Sequence, residues 1–191
     1  VSQHLAGEQE AAGFMRRDID AWWPHIEAGA EAILVTASGC GAMLKEYGDL
    51  LADDPHYADK ARQVAECCKD IGEILAAETL PSPTSTDKPR VAFHSPCTLQ
   101  HAMQQNGVVD QVLRRAGIDL AETKEKHLCC GSAGTYSILQ PKLSQRLLNN
   151  KLKALTVDNP DRIVTANIGC QMHLETKAQV PVQHWIELLD A

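Results

Sequence analysis

Cysteine is the residue type that gives this sequence its most distinctive chemistry. The seven cysteines are Cys40, Cys67, Cys68, Cys97, Cys129, Cys130 and Cys170. Their odd number, their two adjacent pairs and the lack of a recognisable secretion signal favour reduced thiols and a cytoplasmic protein. Reduced cysteines in such proteins are more often metal ligands or reactive groups than disulfide partners.

Four of these cysteines follow a spacing that could hold a metal cluster. We call them the four-cysteine site: Cys97, Cys129, Cys130 and Cys170. Four thiolates are what a [4Fe–4S] cluster requires. No compact C-x-x-C-x-x-C run is present, so the fold itself must bring the ligands together. The alternative is that Cys129 and Cys130 are small apolar residues in a buried turn.

Residues beside these cysteines could complete such a site. Gly131 lets the chain turn sharply after the cysteine pair and direct backbone N–H groups at sulfur. His173 lies three residues after Cys170 and could supply a further ligand, or could form a structural zinc site with three of the cysteines. Three more histidines flank the cysteines and could donate to sulfur, although we expect each at the surface: His94, His101 and His127.

Short apolar runs place three cysteines just after predicted strands. The pairs are residues 32–37 with Cys40, residues 90–94 with Cys97, and residues 163–166 with Cys170. Amphipathic helices are predicted over residues 10–29, 55–77 and 141–155, and the second of these would bury Cys67 and Cys68. This alternation predicts an α/β fold with mainly parallel sheets flanked by helices. Ligands bind at the carboxyl edge of such sheets, where these cysteines would lie.

A segment rich in Pro, Ser and Thr, residues 79–89, predicts a linker between two units, residues 1–78 and 90–191. The helix, strand and turn that end at Cys40 resemble those that end at Cys170, which indicates an internal repeat with an incomplete first copy. The chain begins with Val rather than Met, so we expect it to be a piece of a longer polypeptide or a processed chain. Cys40 would then be a ligand of a separate site in the first copy or a leftover thiol.

The composition excludes several classes of protein. The 191 residues carry 18 basic and 25 acidic side chains, a formal net charge of −7, and no basic cluster for nucleic acid. Hydrophobic residues make up 44% of the chain, which is ordinary for a globular protein and excludes a disordered one. No apolar run approaches the roughly 18 residues of a transmembrane helix.

Four motifs resemble the cysteine-rich CCG domain of glycolate oxidase iron–sulfur subunits, heterodisulfide reductases and lactate-utilisation proteins. They are HSPCTLQH at 94–101, CCGSAGTYS at 129–137, NIGCQMH at 167–173 and HWIELL at 184–189. The match is most specific for the glycolate oxidase subunits and covers nearly the whole chain. His173 departs from the family pattern, which has the second cysteine of a C-x-x-C there, so a five-cysteine noncubane cluster is not implied. The ferredoxin-like region of those subunits is also absent from this chain.

This resemblance implies an electron-transfer subunit with an iron–sulfur cluster, most simply [4Fe–4S], on the four-cysteine site. Its partners would be FAD-containing glycolate oxidase subunits that oxidise glycolate to glyoxylate and send electrons towards a quinone. The chain would not be catalytic alone, and partners would hold it at the cytoplasmic face of the inner membrane. The alternatives are a structural zinc module that supports assembly and a CCG protein of the heterodisulfide reductase or lactate-utilisation type.

Overall fold

The chain divides into two compact units in the computed structural model, which describes residues 2–80 and 89–189. The first unit comprises residues 1–35 and 40–70, and the second comprises residues 36–39 and 71–191. Most of the predicted linker, residues 79–89, lies outside the described residues. The linker and the predicted boundaries therefore stay predictions.

An amphipathic helix and a pair of short parallel strands characterise the first unit. Its elements are α1 (Glu8–Glu27), β1 (Ile33–Val35), most of α2 (Ser38–Lys45), α3 (Tyr47–Leu50), α4 (Ala58–Cys67) and β2 (Cys68–Asp70). Buried Ala11, Met15 and Ile19 lie four residues apart on α1 and form the apolar face that the sequence predicts. β1 pairs in parallel with β2, with Ile33 opposite Cys68.

The single helix predicted over residues 55–77 is wrong. α4 ends at Cys67, β2 follows, and a separate helix, α5 (Ile71–Ala77), begins the next part of the second unit. Pairing with β2 satisfies backbone N–H and C=O groups of β1, and this long-range contact overrides the helical periodicity of the segment. Cys68 is fully buried as expected, whereas Cys67 is half-buried at the end of α4.

A four-stranded parallel sheet organises the second unit and confirms the predicted α/β class. Its strands are β3 (Arg90–His94), β4 (Asp119–Leu120), β5 (Arg162–Thr165) and β6 (Val182–His184), in the spatial order β4-β3-β5-β6. Its helices, besides α5, are α6 (Val108–Arg115), α7 (Tyr136–Leu139), α8 (Pro141–Leu155) and α9 (Ile168–Glu175). A π-helical turn spans Thr98–Ala102, and a 3₁₀ helix spans Trp185–Leu189. The sequence analysis does not predict β6, which is three residues long.

The core of the second unit contains two of the cysteines of the four-cysteine site. Leu148 of α8, Ala92 of β3 and Ile163 of β5 are fully buried in one hydrophobic cluster. Cys130 and Cys170 belong to the same cluster. These two thiols are therefore buried in the packing of the sheet against its helices.

The order of strand, helix and cysteine that suggests an internal repeat occurs at both Cys40 and Cys170. Cys40 is the third residue of α2, which follows β1, and Cys170 is the third residue of α9, which follows β5. The duplication itself stays a prediction. In the described part of the chain, no helix combines the length and the apolar character needed to cross a membrane.

Candidate metal centre

The carboxyl ends of β3 and β5 place two cysteines at one edge of the sheet. The last residue of β3, His94, pairs with the last residue of β5, Thr165, and each strand is followed by a cysteine-bearing segment. Cys97 lies directly before the π-helical turn, and Cys170 lies in the first turn of α9. The side chain of Asn167 caps α9 by accepting hydrogen bonds from the backbone N atoms of Gly169 (2.9 Å) and Cys170 (3.4 Å).

The loop that carries Cys129 and Cys130 depends on Gly131. Its φ of +92° lies in the region that side chains disfavour, and a Cβ atom there would lie 2.5 Å from the backbone O of Ser144 on α8. The backbone N–H of Gly131 donates to Cys129 Sγ at 3.3 Å, and Ser144 Oγ donates to the backbone O of Gly131 at 2.8 Å. Glycine thus allows the loop to lie directly on α8 and to turn an N–H group towards sulfur.

The structure places the Sγ atoms of Cys130 and Cys170 within 4.8 Å of each other, and Cys97 and Cys129 interact with this pair. Cys130 Sγ lies 3.2 Å from Cys170 Sγ, within hydrogen-bond distance for sulfur. Cys129 is hydrogen-bonded to both Cys130 and Cys97. None of the seven cysteines forms a disulfide. The result is an unbroken line of sulfur contacts from residue 97 through 129 and 130 to 170.

These contacts shift the pKa values of the thiols in opposite directions. Hydrogen bonds from Cys130 and Cys97, together with the N–H of Gly131, lower the pKa of Cys129 to about 2. The same hydrogen bonds, reinforced by burial, raise the pKa of the Cys130 and Cys97 thiols well above the usual range. The Cys129 thiolate is therefore stabilised by the protonated thiols beside it. A thiophilic metal would take the place of those protons when it binds.

His94 contradicts the expectation that it lies at the surface. Its side chain is buried, with 1% of its surface exposed, and its Nδ1 lies 2.8 Å from Thr165 Oγ1. One ring nitrogen lies within 4.8 Å of the Sγ atoms of Cys130 and Cys170. Within the described residues its Nε2 has no hydrogen-bond partner, and burial lowers the pKa of the ring to about 3. His94 is thus a neutral imidazole beside the sulfurs.

The other predicted site residues have distinct surroundings. Nε2 of His173 lies 3.1 Å from Ser144 Oγ, so its ring contacts α8 behind the glycine loop. Burial lowers the pKa of His173. His101 and His127 are exposed as expected. Cys40 is exposed and belongs to the first unit, so its proposed ligand role stays a prediction.

The sequence analysis missed Lys151, a fully buried lysine on α8. It lies seven residues after Ser144 and three after Leu148, so these side chains share one face of the helix. The burial of Lys151 is indicated in the sequence by its position, because it occupies a place on the helix where the apolar stripe requires a buried residue. His94 carries a similar signal, because a strand buried on both faces buries its last residue as well.

The four-cysteine site fits a metal centre of the thiolate type. Its donors are soft sulfur atoms, which suit iron–sulfur clusters and zinc rather than magnesium or calcium. Cys130 and Cys170 are buried, and the Nε2 of His94, which lacks a partner in the described region, is a further polar atom that a bound group could satisfy.

Comparison with known proteins places this site in a family. Residues 91–175 match the family model CCG, described as a cysteine-rich domain. The chain is 52% identical over 190 residues to the glycolate oxidase iron-sulfur subunit of Escherichia coli (strain K12), which covers 100% of this chain and 47% of that protein. It is 30% identical over 171 residues to the probable glycolate oxidase iron-sulfur subunit of Bacillus subtilis (strain 168), covering 88% of this chain and 36% of that protein.

More distant similarity extends to another group of proteins. The chain is 24% identical over 174 residues to lactate utilization protein A of Shouchella clausii (strain KSM-K16), covering 86% of this chain and 72% of that protein. The chain spans less than half the length of the two glycolate oxidase subunits that it matches. The resemblance inferred from the cysteine motifs is confirmed: residues 91–175 match the cysteine-rich CCG family, and the chain is similar along its whole length to the iron–sulfur subunit of glycolate oxidase.

Proposed function

We propose that this chain is part of an iron–sulfur electron-transfer subunit of a glycolate oxidase or dehydrogenase, with its cluster on the four-cysteine site. The observation that carries this proposal is the line of sulfur contacts that joins all four cysteines. The names of the two similar glycolate oxidase iron-sulfur subunits support iron and sulfur as the cofactor and glycolate as the substrate of the complex. A [4Fe–4S] cluster is the simplest one that four thiolates can hold.

The residues around the site perform three tasks in this proposal. The four sulfurs bind the cluster, and the N–H of Gly131 supplies a hydrogen bond to one of them. Burial of Cys130 and Cys170 keeps water away from that side of the site. An iron–sulfur cluster supplies reversible one-electron redox chemistry. Hydrogen bonds to sulfur and solvent exposure are the features by which a protein sets the cluster's potential.

The wider role in the complex follows from the similar proteins. A FAD-containing partner would oxidise glycolate to glyoxylate, and this subunit would receive the electrons singly and pass them towards a quinone. The chain would contribute ligands and contact surfaces but no residue that transforms glycolate. Its place would be the cytoplasm, with partners holding it at the inner membrane.

Iron content after anaerobic reconstitution tests the assignment of the ligands. The wild-type chain should bind iron and sulfide and acquire broad visible absorbance, whereas Cys97→Ser and Cys170→Ser should retain much less iron. Cys67→Ser and Cys40→Ser are matched controls, because these thiols belong to the first unit, and both should retain wild-type iron. A wild-type chain that stays colourless would contradict the proposal. A loss in Cys40→Ser as large as that in Cys170→Ser would contradict the four-cysteine assignment.

A structural zinc site is the second candidate function, and one observation favours it. A ring nitrogen of His94 lies among the sulfurs of Cys130 and Cys170, and zinc commonly takes such mixed ligands. His173, the histidine first considered for this role, has its Nε2 3.1 Å from Ser144 Oγ. Metal analysis separates the two functions, since stoichiometric zinc without iron, after anaerobic purification, would favour the zinc site.

A further inference from the structure

Lys151 is a buried lysine that forms no ion pair with a carboxylate among the described residues. It is 1% exposed, and its Nζ donates one hydrogen bond, over 3.0 Å, to the backbone O of Lys126. Among the described residues, none of the ion pairs involves Lys151. A buried ammonium group with one neutral acceptor is costly unless negative charge lies nearby.

The helix face that carries Lys151 is the one that supports the four-cysteine site. Ser144 contacts Gly131 in the loop of the cysteine pair, and Leu148 shares the hydrophobic cluster of Cys130 and Cys170. Lys151 follows on the same face, one turn after Leu148. The helix therefore presents, in succession, a hydrogen bond to the loop, an apolar contact to the cysteines and a buried cation.

The charges of the cysteines act on this lysine. Burial lowers the pKa of Lys151, and the nearby Cys130, Cys129 and Cys170 act in the opposite direction by favouring the charged ammonium group. The positive charge of Lys151 also contributes to the low pKa of His94, after the larger effect of burial. The other lysine nearby, Lys126, directs its exposed Nζ to Asp110 at 2.9 Å, and is thus paired by a carboxylate. Lys151 is in none of the carboxylate ion pairs of the described residues, and the cysteines are the negative groups that act on it.

We infer that Lys151 is a positioning residue that acts through charge: it balances the negative charge of a cluster held by the four cysteines and raises the reduction potential of that cluster. This inference rests on the proposed function, because it requires an iron–sulfur cluster at the site. Reduction adds one negative charge to the cluster, and a fixed positive charge in a poorly solvated core stabilises the reduced state more than the oxidised state. Loss of the charge should therefore make the cluster harder to reduce.

A redox titration of the reconstituted full chain, followed by electron paramagnetic resonance, tests this role. In Lys151→Met, the ratio of reduced to oxidised cluster at a fixed potential should fall about tenfold, which is a midpoint about 59 mV lower for one electron. Lys151→Arg keeps the charge and should stay close to the wild type. Lys153→Met removes an exposed lysine from the same helix and should leave the midpoint unchanged.

The outcomes separate this inference from the proposed function. A wild-type chain without iron refutes the proposed function. A Lys151→Met chain with wild-type iron content and an unchanged midpoint overturns the role of Lys151 alone. If Lys151→Met loses its iron, the iron contents of Lys151→Gln and Lys151→Arg are compared. Iron retained only in the arginine variant supports a role for the positive charge. Equal iron content in the two variants assigns the effect to packing and overturns the inference.

Discussion

Substitution of Gly131 by alanine should destabilise the second unit by far more than an ordinary loop substitution. Gly131 adopts a φ of +92°, and the added Cβ would lie 2.5 Å from the backbone O of Ser144 and 3.1 Å from Leu147 Cβ. The first of these atoms belongs to the main chain of α8, so it cannot yield by a side-chain rotation. The loop or the helix must move instead.

The magnitude follows from three contributions to the free energy of unfolding. An alanine held at this φ costs about 2 kcal/mol. Movement of the loop away from α8 breaks the 2.8 Å hydrogen bond between Ser144 Oγ and the backbone O of Gly131, worth about 1 kcal/mol. Residual overlap with α8 adds to this sum. We therefore expect Gly131→Ala to lower the free energy of unfolding by at least about 3 kcal/mol.

Urea unfolding of the reduced, metal-free chain, followed by circular dichroism, measures this loss without any contribution from a cofactor. Gly134→Ala is the matched control, because Gly134 also has a positive φ, +58°, but no heavy atom lies within 4 Å of its added Cβ. This control should lose only about 1 kcal/mol. Equal losses in the two variants would refute the argument from contact with α8.

Two further predictions concern other parts of the chain. Asn167→Ala removes the side-chain cap of α9 and should lower the free energy of unfolding by about 1 kcal/mol in the same urea assay. An unchanged unfolding midpoint would show that the cap does not stabilise the helix. In the first unit, burial and the hydrogen bond to Asp18 raise the pKa of Tyr47, so the unfolded chain ionises near pH 10 while the folded chain stays protonated. The stability measured by thermal unfolding should therefore fall above pH 10 in the wild type and fall less in Tyr47→Phe. The same dependence of stability on pH in the two proteins would contradict this prediction.

The sequence predicts the site better than it predicts the elements around it. Cys97 and Cys170 follow apolar runs that could only be buried strands, and parallel strands place their carboxyl ends at one edge. β2 was missed because Cys68–Asp70 becomes a strand only through its pairing with β1, a contact that local periodicity does not encode. β6 was missed because three residues are too few for a pattern of alternation.

The side chains behind the sulfurs were harder to foresee than the sulfurs themselves. His94 is buried because the strand that ends with it is covered on both faces, and Lys151 is buried because its helix turns that face to the sheet. Both facts depend on how the elements pack, and residue type alone favours the surface for a lysine and does not bury a histidine, so only the position of each residue in its element signals burial. The cysteine spacing, in contrast, is visible without the fold.

The separation of the cysteines along the chain determines the order of events during synthesis. Thirty-one residues lie between Cys97 and Cys129, and 39 lie between Cys130 and Cys170. The last sulfur meets its neighbours only after β3 and β5 have paired, since those strands position the segments that carry Cys97 and Cys170. A chain still emerging from the ribosome therefore has an incomplete set of these sulfurs, and a metal that needed all four would await the pairing of β3 with β5.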